Sequence, residues 1–207
     1  MRRQRHLVVF LRTPRLGRGK SRLAAGIGPL AALRFQRATL ARLLRLLGRD
    51  RRWRCHLAVT PDREAHRRWG QGTEPRGQGS GDLGRRMARV FRELPPGPAL
   101  IIGSDIPEIT AAHVAAGFRA LGHSEGVFGP AVDGGYWLIG LSRRRGVPHR
   151  LFAGVRWSTR HALADTLASL PPGFRAAMLE TLEDVDDAAS YRRFLARRLS
   201  RRAADAP

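Results

Sequence analysis

Cysteine occurs once in this 207-residue sequence, as Cys55, so neither a disulfide framework nor a thiolate metal site can be built from it. A lone thiol fits a reducing compartment, and the cytoplasm is the expected location. Long apolar runs are missing as well. The basic start, Arg2, Arg3 and Arg5, is followed only by LVVFL, shorter than a secretory core. No later segment approaches the roughly 18 apolar residues of a membrane span. Seven histidines are scattered without an H-E-x-x-H pattern, which argues against zinc. No G-x-S-x-G is present, so a serine-hydrolase triad has no nucleophile elbow. Lysine is nearly absent too: of 38 basic residues, 37 are arginine and one is Lys20.

What is present is an apolar fraction of 43% in strand-length and helix-length runs, enough for one well-cored domain over residues 1–200 with a frayed tail at 201–207. The net charge of +21 suggests nucleic acid or an acidic surface. The arginines, however, are spread along the chain without interleaved aromatics, as a global bias would spread them. No specific nucleic-acid partner is expected, and a noncatalytic polyanion-binding protein stands as an alternative of another class.

Periodicity predicts a buried strand over 6–12, a loop TPRLGRGKS, a helix over 29–47 and a second strand ending at Thr60. Residues 70–81, rich in Gly and Pro, read as a mobile loop. Asp82 is suited to cap a helix reaching Leu94, and the strand ALIIG follows. Next come a helix over 111–121, a strand over 126–130 and the segment YWLIGL, the last two joined by a tight turn. A helix over 158–170, a strand over 175–179 and a basic helix over 188–198 close the chain. Alternation of this kind predicts an α/β fold with a mostly parallel, Rossmann-like sheet flanked by helices, binding its ligand at the carboxyl ends of the strands.

Three loops at those ends carry candidate chemistry. In the first, Gly19-Lys20-Ser21 matches the end of a P-loop, but Pro14 stands where the first glycine belongs and supplies neither an N–H nor backbone freedom. What remains is close backbone approach at Gly17 and Gly19, with positive charge from Arg18, Lys20 and Arg22, an arrangement suited to phosphates. In the second, GSDIPEIT, Asp105 either caps a turn or coordinates Mg²⁺ or Mn²⁺ against a diphosphate, and Asp186 in LEDVDDAAS is the candidate second ligand. In the third, GPAVDGGYWLIG, Gly134 and Gly135 leave room for a ligand beside Asp133, a candidate partner of sugar hydroxyls; an ordinary Asp-Gly hairpin explains the same residues. Tyr136 and Trp157 form either an aromatic wall or core packing.

Taken in order, VVFLRTPRLGRGKSRLA, QGSGDLGRRM, GSDIP, GPAVDGGYWLIGL, VRWST and LEDVDDAAS resemble a bacterial family of GT-A-type glycosyltransferases. That family is labelled radical-SAM/selenodomain-associated transferase, or arsenosugar-biosynthesis glycosyltransferase, and is related in fold to sugar-phosphate and molybdenum-cofactor nucleotidyltransferases. Arg12 stands where the family typically has lysine, Ser21 where it has threonine, and Asp187 and Ser190 depart from its acidic tail, whereas Asp184 and Asp186 match. The resemblance implies that Arg12 and the Lys20 loop contact nucleotide phosphates and that Asp105 and Asp186 carry the divalent cation. It also implies that Gln78 and Gly81 lie where related enzymes read the base and that Asp133 faces the sugar or acceptor. The expected activity is metal-dependent glycosyl transfer from a nucleoside-diphosphate sugar to a small-molecule acceptor, with Asp133 as base and Lys20 steadying the phosphates. The alternative is nucleotidyl transfer from an NTP to a phosphorylated acceptor with release of pyrophosphate.

Overall fold

The computed structural model describes residues 3–204; Met1 and Arg2 of the basic start and Asp205–Pro207 of the expected tail lie outside them. Seven strands form one sheet in the order β3-β2-β1-β4-β6-β5-β7. They are β1 (His6–Arg12), β2 (Arg54–Thr60), β3 (Thr73–Gly77), β4 (Ala99–Gly103), β5 (Gly126–Pro130), β6 (Tyr136–Leu141) and β7 (Ala176–Met178). Six helices accompany them: α1 (Ser21–Ile27), α2 (Pro29–Leu47), α3 (Leu83–Glu93), α4 (Ala111–Ala120), α5 (Ala162–Ala168) and α6 (Ala188–Ala204).

Leu7–Leu11 of β1 form an unbroken apolar run because both faces of the strand are covered, as expected of a central parallel strand. Leu7, Val9 and Leu11 join Leu40, Leu43 and Leu47 of α2 and Val114 and Phe118 of α4 in one core. Val8 and Phe10 point the other way, onto Met87, Val90 and Phe91 of α3. Asp82 caps α3 by accepting the Arg85 N–H at 2.7 Å. β1 pairs in parallel with β2 and β4, whereas β6 runs antiparallel between β4 and β5. The reversal at β6 matters for the site. It places the start of β6, at Tyr136, on the same sheet edge as the ends of β1, β2, β4 and β5, so four loops meet there.

Four expected boundaries differ. The stretch over 70–81 contains β3, a parallel edge strand on β2. Its Pro75 is tolerated because an edge strand leaves one side of its backbone unpaired. The first loop is shorter than expected, since α1 begins at Ser21, and α5 begins at Ala162 because turns occupy 158–161. The basic helix α6 continues to Ala204 through residues expected to fray. It docks through Tyr191 and Phe194, which meet Phe35 of α2 edge-on at 5.2 and 5.7 Å between ring centroids.

Candidate active site

The four loops surround a cavity of about 690 Å³. Its rim carries Arg12, Arg18 and Lys20 from the first loop, Asp105 after β4, Asp133 after β5 and Asp184 before α6.

Lys20 is the hub. Its backbone sits at φ 45°, a left-handed conformation unfavourable to a side chain, just before α1. That geometry turns a side chain only 6% exposed into the protein. Its ammonium donates to Val185 O and Asp186 Oδ1, each at 2.8 Å, and lies 3.6 Å from Asp105 Oδ1. One cation thereby joins the first loop to both acidic segments expected to hold a metal. A flexible stem with three donors on a compact charge suits this task better than a planar guanidinium.

The acidic segment is divided in its orientation. Asp186 turns towards Lys20 and Arg22, the latter at 3.0 Å; burial would raise its pKa, but the charge and hydrogen bond of Lys20 win and hold it below the ordinary value. Asp184, two residues earlier, faces the cavity. Burial, then the charges of Asp186 and Asp133, push its pKa up to about 6. Asp187 accepts the Ser190 N–H at 2.8 Å in the first turn of α6. The segment is also clamped from behind: Arg197 of α6 pairs with Glu108 at 2.9 Å and Glu183 at 2.7 Å, residues adjoining the Asp105 and Asp184 loops.

On the far side, Asp133 lines the cavity while its Oδ1 accepts the Gly135 N–H at 2.9 Å, so the hairpin-turn and site readings coexist. Gly135 is on the cavity wall. Gly134 is not; it is required because a Cβ there would meet Arg160 O at 2.2 Å, in a backbone at φ +85°. The expectation that it leaves room for a ligand is therefore replaced by one of packing against the 160 loop. Tyr136 and Trp157 both line the cavity and both pack on the core, Tyr136 against Phe128 and Trp157 against Phe152. Burial raises the Tyr136 pKa, so its phenol stays protonated.

Gln78 is placed at the cavity but its side chain is committed to the protein. Its amide donates to Leu11 O at 3.0 Å and Ala58 O at 2.8 Å, and its Oε1 accepts from Arg86 at 2.7 Å. It is a strut fixing the loop against β1 and β2, with no donor left for a base. Gly81 and Gly17 do not reach the cavity wall, and Arg22 is directed to Asp186. Sequence reasoning noted Asp184 without giving it a role and passed over Arg86 and Arg197. Asp184 was visible as one of a D-x-D pair, whereas nothing local to Arg86 or Arg197 sets them apart among so many arginines.

A divalent cation fits this chemistry. The donors at the rim are carboxylate oxygens, the preference of Mg²⁺ and Mn²⁺, and Asp184, raised by burial and then by the charges of Asp186 and Asp133, is among them. Among the described residues, no group of three or more His, Cys, Asp or Glu side chains is arranged to hold a metal ion. Mg²⁺ commonly takes only one or two carboxylates and completes its shell from phosphates and water.

A seven-stranded, mostly parallel sheet with helices on both faces and a polar cavity at one edge places the protein in the α/β fold of nucleotide-diphospho-sugar transferases and nucleotidyltransferases. It belongs to DUF2064, a family described as uncharacterised and conserved in bacteria, whose model matches residues 43–159. A provisionally named nucleotide-diphospho-sugar transferase from Desulfovibrio desulfuricans G20 superposes with a TM-score of 0.77 at 25% identity, over 88% of this chain and 82% of that one. CMP:2-keto-3-deoxy-manno-octonic acid synthetase, solved with CTP, shares the fold with a TM-score of 0.56 at 13% identity, over 96% and 100% of the two chains. Rv0371c from Mycobacterium tuberculosis H37Rv, solved as a manganese complex, does so with a TM-score of 0.51 at 18% identity, over 94% and 99%. No curated protein matches the sequence.

Proposed function

We propose that the protein is a divalent-cation-dependent glycosyltransferase acting on a nucleoside-diphosphate sugar and a small-molecule acceptor. The observation carrying this reading is the division of charge in the cavity. Arg12, Arg18 and Lys20 stand at one end, where a diphosphate would be held, and Arg86 stands beside Gln78. From residue 131 onward the wall contains Asp133, the hydroxyl-bearing Ser158 and Thr159, and aromatic rings, while Asp184 sits within reach of the Lys20 charge. A hydroxyl acceptor suits Asp133, Ser158 and Thr159, which offer hydrogen-bond partners and no positive charge.

Asp105, with the Asp184–Asp186 pair, would hold the cation. When bound, it supplies positive charge against the departing diphosphate. Lys20 exchanges a carboxylate for a phosphate oxygen, and Arg18 adds a second positive contact, so charge building on the leaving group is stabilised. Asp133 takes the acceptor proton as its oxygen attacks the anomeric carbon and the carbon–oxygen bond to the diphosphate breaks. Gln78 shapes the nucleotide end by fixing its loop against β1 and β2.

Nucleotidyl transfer is the second reading, favoured by the fold shared with the CTP-bound synthetase. Product analysis separates the two. Incubation with nucleotide-sugars plus a panel of hydroxylated acceptors, and with NTP plus sugar phosphates, each with Mg²⁺ or Mn²⁺, should release nucleoside diphosphate from the former as the sugar passes to an acceptor; pyrophosphate from the latter would replace the glycosyl reading.

A further inference from the structure

The ammonium of Lys20 points into a shell made wholly of oxygen. It donates to Val185 O and Asp186 Oδ1 at 2.8 Å each, and Asp105 Oδ1 stands 3.6 Å away. Hard divalent cations choose the same donors, and two of these three oxygens belong to carboxylates assigned above to the metal. None of them lies in the first loop. They come from the segments after β4 and before α6, and the stem reaches them because Lys20 adopts φ 45° and ψ 45° immediately before α1. The side chain is only 6% exposed, so its charge is spent on these oxygens and little of it on water.

The other cations at this end of the cavity are placed differently. Arg12 and Arg18 line it without an ion pair to a carboxylate among the described residues, and are open to an incoming anion. Lys20 must first leave two carboxylates. A metal ion meets the converse obstacle. To reach Asp105 and Asp186 it has to approach a buried like charge already bonded to one of them, where screening by water is weak. Each ligand removes the obstacle to the other: a diphosphate draws the ammonium onto its own oxygens, and the carboxylates so released are free for a divalent cation.

We infer that Lys20 holds the metal position in the free protein and gates it, so that a divalent cation binds tightly only together with a diphosphate that takes the ammonium away. This rests on the divalent-cation reading of the site given above. The exchange strands no charge, since the carboxylates trade one positive charge for two and the ammonium passes from carboxylate to phosphate oxygens. Linkage makes the coupling reciprocal: the diphosphate favours the metal by the factor with which the metal favours the diphosphate. A lysine suits the task in a chain that otherwise uses arginine, because a flexible stem with rotatable donors can move between two sets of acceptors.

The probe in the first measurement is Mn²⁺ alone, titrated into the full chain without nucleotide and followed by loss of the free-ion EPR signal. Lys20→Met should bind Mn²⁺ about tenfold tighter than wild type, within the usual range of coupling between ligands. Arg22→Met removes an equal charge from the other oxygen of Asp186, but Arg22 is 74% exposed, and a change of less than about threefold is expected. The second measurement needs no variant and decides the matter should Lys20→Met fail to fold. Lys20 is the only lysine, so ¹⁵N-lysine labelling gives a single side-chain ammonium signal. Mg²⁺ alone should leave that signal in place, and Mg²⁺ with inorganic pyrophosphate should shift it. Mn²⁺ binding no tighter in Lys20→Met than in wild type, equal tightening in Arg22→Met, displacement of the Lys20 signal by Mg²⁺ alone, or a signal unmoved by Mg²⁺ with pyrophosphate would overturn the inference. Neither measurement uses a sugar donor. Ammonium exchange without turnover of any nucleotide-sugar would leave the gate standing and remove glycosyl transfer, whereas glycosyl transfer with an ungated metal would do the opposite.

Discussion

Removing the charge of Lys20 should destabilise the protein by an amount that can be worked out from its contacts. In Lys20→Met the stem is kept, and two hydrogen bonds of 2.8 Å, to Val185 O and Asp186 Oδ1, are lost together with the charge 3.6 Å from Asp105. Hydrogen bonds involving a charged group contribute about 1.5–3 kcal/mol each. The upper figures do not apply, because the Asp186 side chain is 39% and that of Asp105 61% exposed, so water takes over part of their solvation. Arg22 also remains on Asp186. A net loss of about 1.5 kcal/mol follows, which for a chain of this size is about 3–6 °C in Tm. Scanning calorimetry at low ionic strength measures it. The deficit should shrink on acidification, as protonated Asp184 and Asp186 cease to repel. In turnover the variant should lose about 100-fold in kcat, the scale of one lost donor to a developing charge. A Tm unchanged at neutral pH and a kcat within threefold of wild type would refute the hub role of Lys20.

Asp105→Asn should lower metal-dependent turnover at least about 100-fold while moving Tm by less than about 2 °C, since Asp105 is largely exposed and surface charges contribute little to stability; full activity would remove Asp105 from the site. Asp184 holds its proton up to about pH 6 in the folded state, whereas the unfolded chain releases it near pH 4. The folded state thus binds more protons between those values, and this group's contribution to stability falls as pH rises through the window. Asp184→Asn should therefore gain Tm relative to wild type between pH 4.5 and 7, and a flat difference across that range would contradict the assignment. Gly134→Ala combines a left-handed backbone with a Cβ 2.2 Å from Arg160 O, and a loss of about 3 kcal/mol, or about 6–12 °C in Tm, is expected; a neutral substitution would mean that the 160 loop yields easily.

The central strands were legible in the sequence because their signal is local. HLVVFLR and ALIIG have no polar residue at the positions that both core faces require, and YWLIGL after an Asp-Gly-Gly turn announces its own reversal. β3 was hidden for the opposite reason. Its residues TEPRG have little strand propensity, and the strand exists because β2 offers an unpaired edge and Asp62 collects the N–H groups of Gln78 and Gly79 just beyond it. In the site, Asp105, Asp133 and Lys20 announced themselves by residue type and by position after strands. The pairing of Lys20 with Asp186 spans 166 residues and depends on a left-handed turn at Lys20, which no local pattern encodes. The packing roles of Gln78 and Gly134 were hidden on similar grounds: each is fixed by distant backbone, Leu11 and Ala58 for the first and Arg160 for the second.

The most direct test of the central claim is calorimetric titration of the purified protein with UDP-, GDP- and dTDP-sugars, in Mg²⁺ or Mn²⁺ and again in EDTA. At least one nucleotide-sugar should bind with a 1:1 stoichiometry, more tightly than the matching NTP, and lose that affinity in EDTA and in Asp105→Asn. Binding of NTPs in preference to every nucleotide-sugar, or binding indifferent to both EDTA and Asp105, would contradict it.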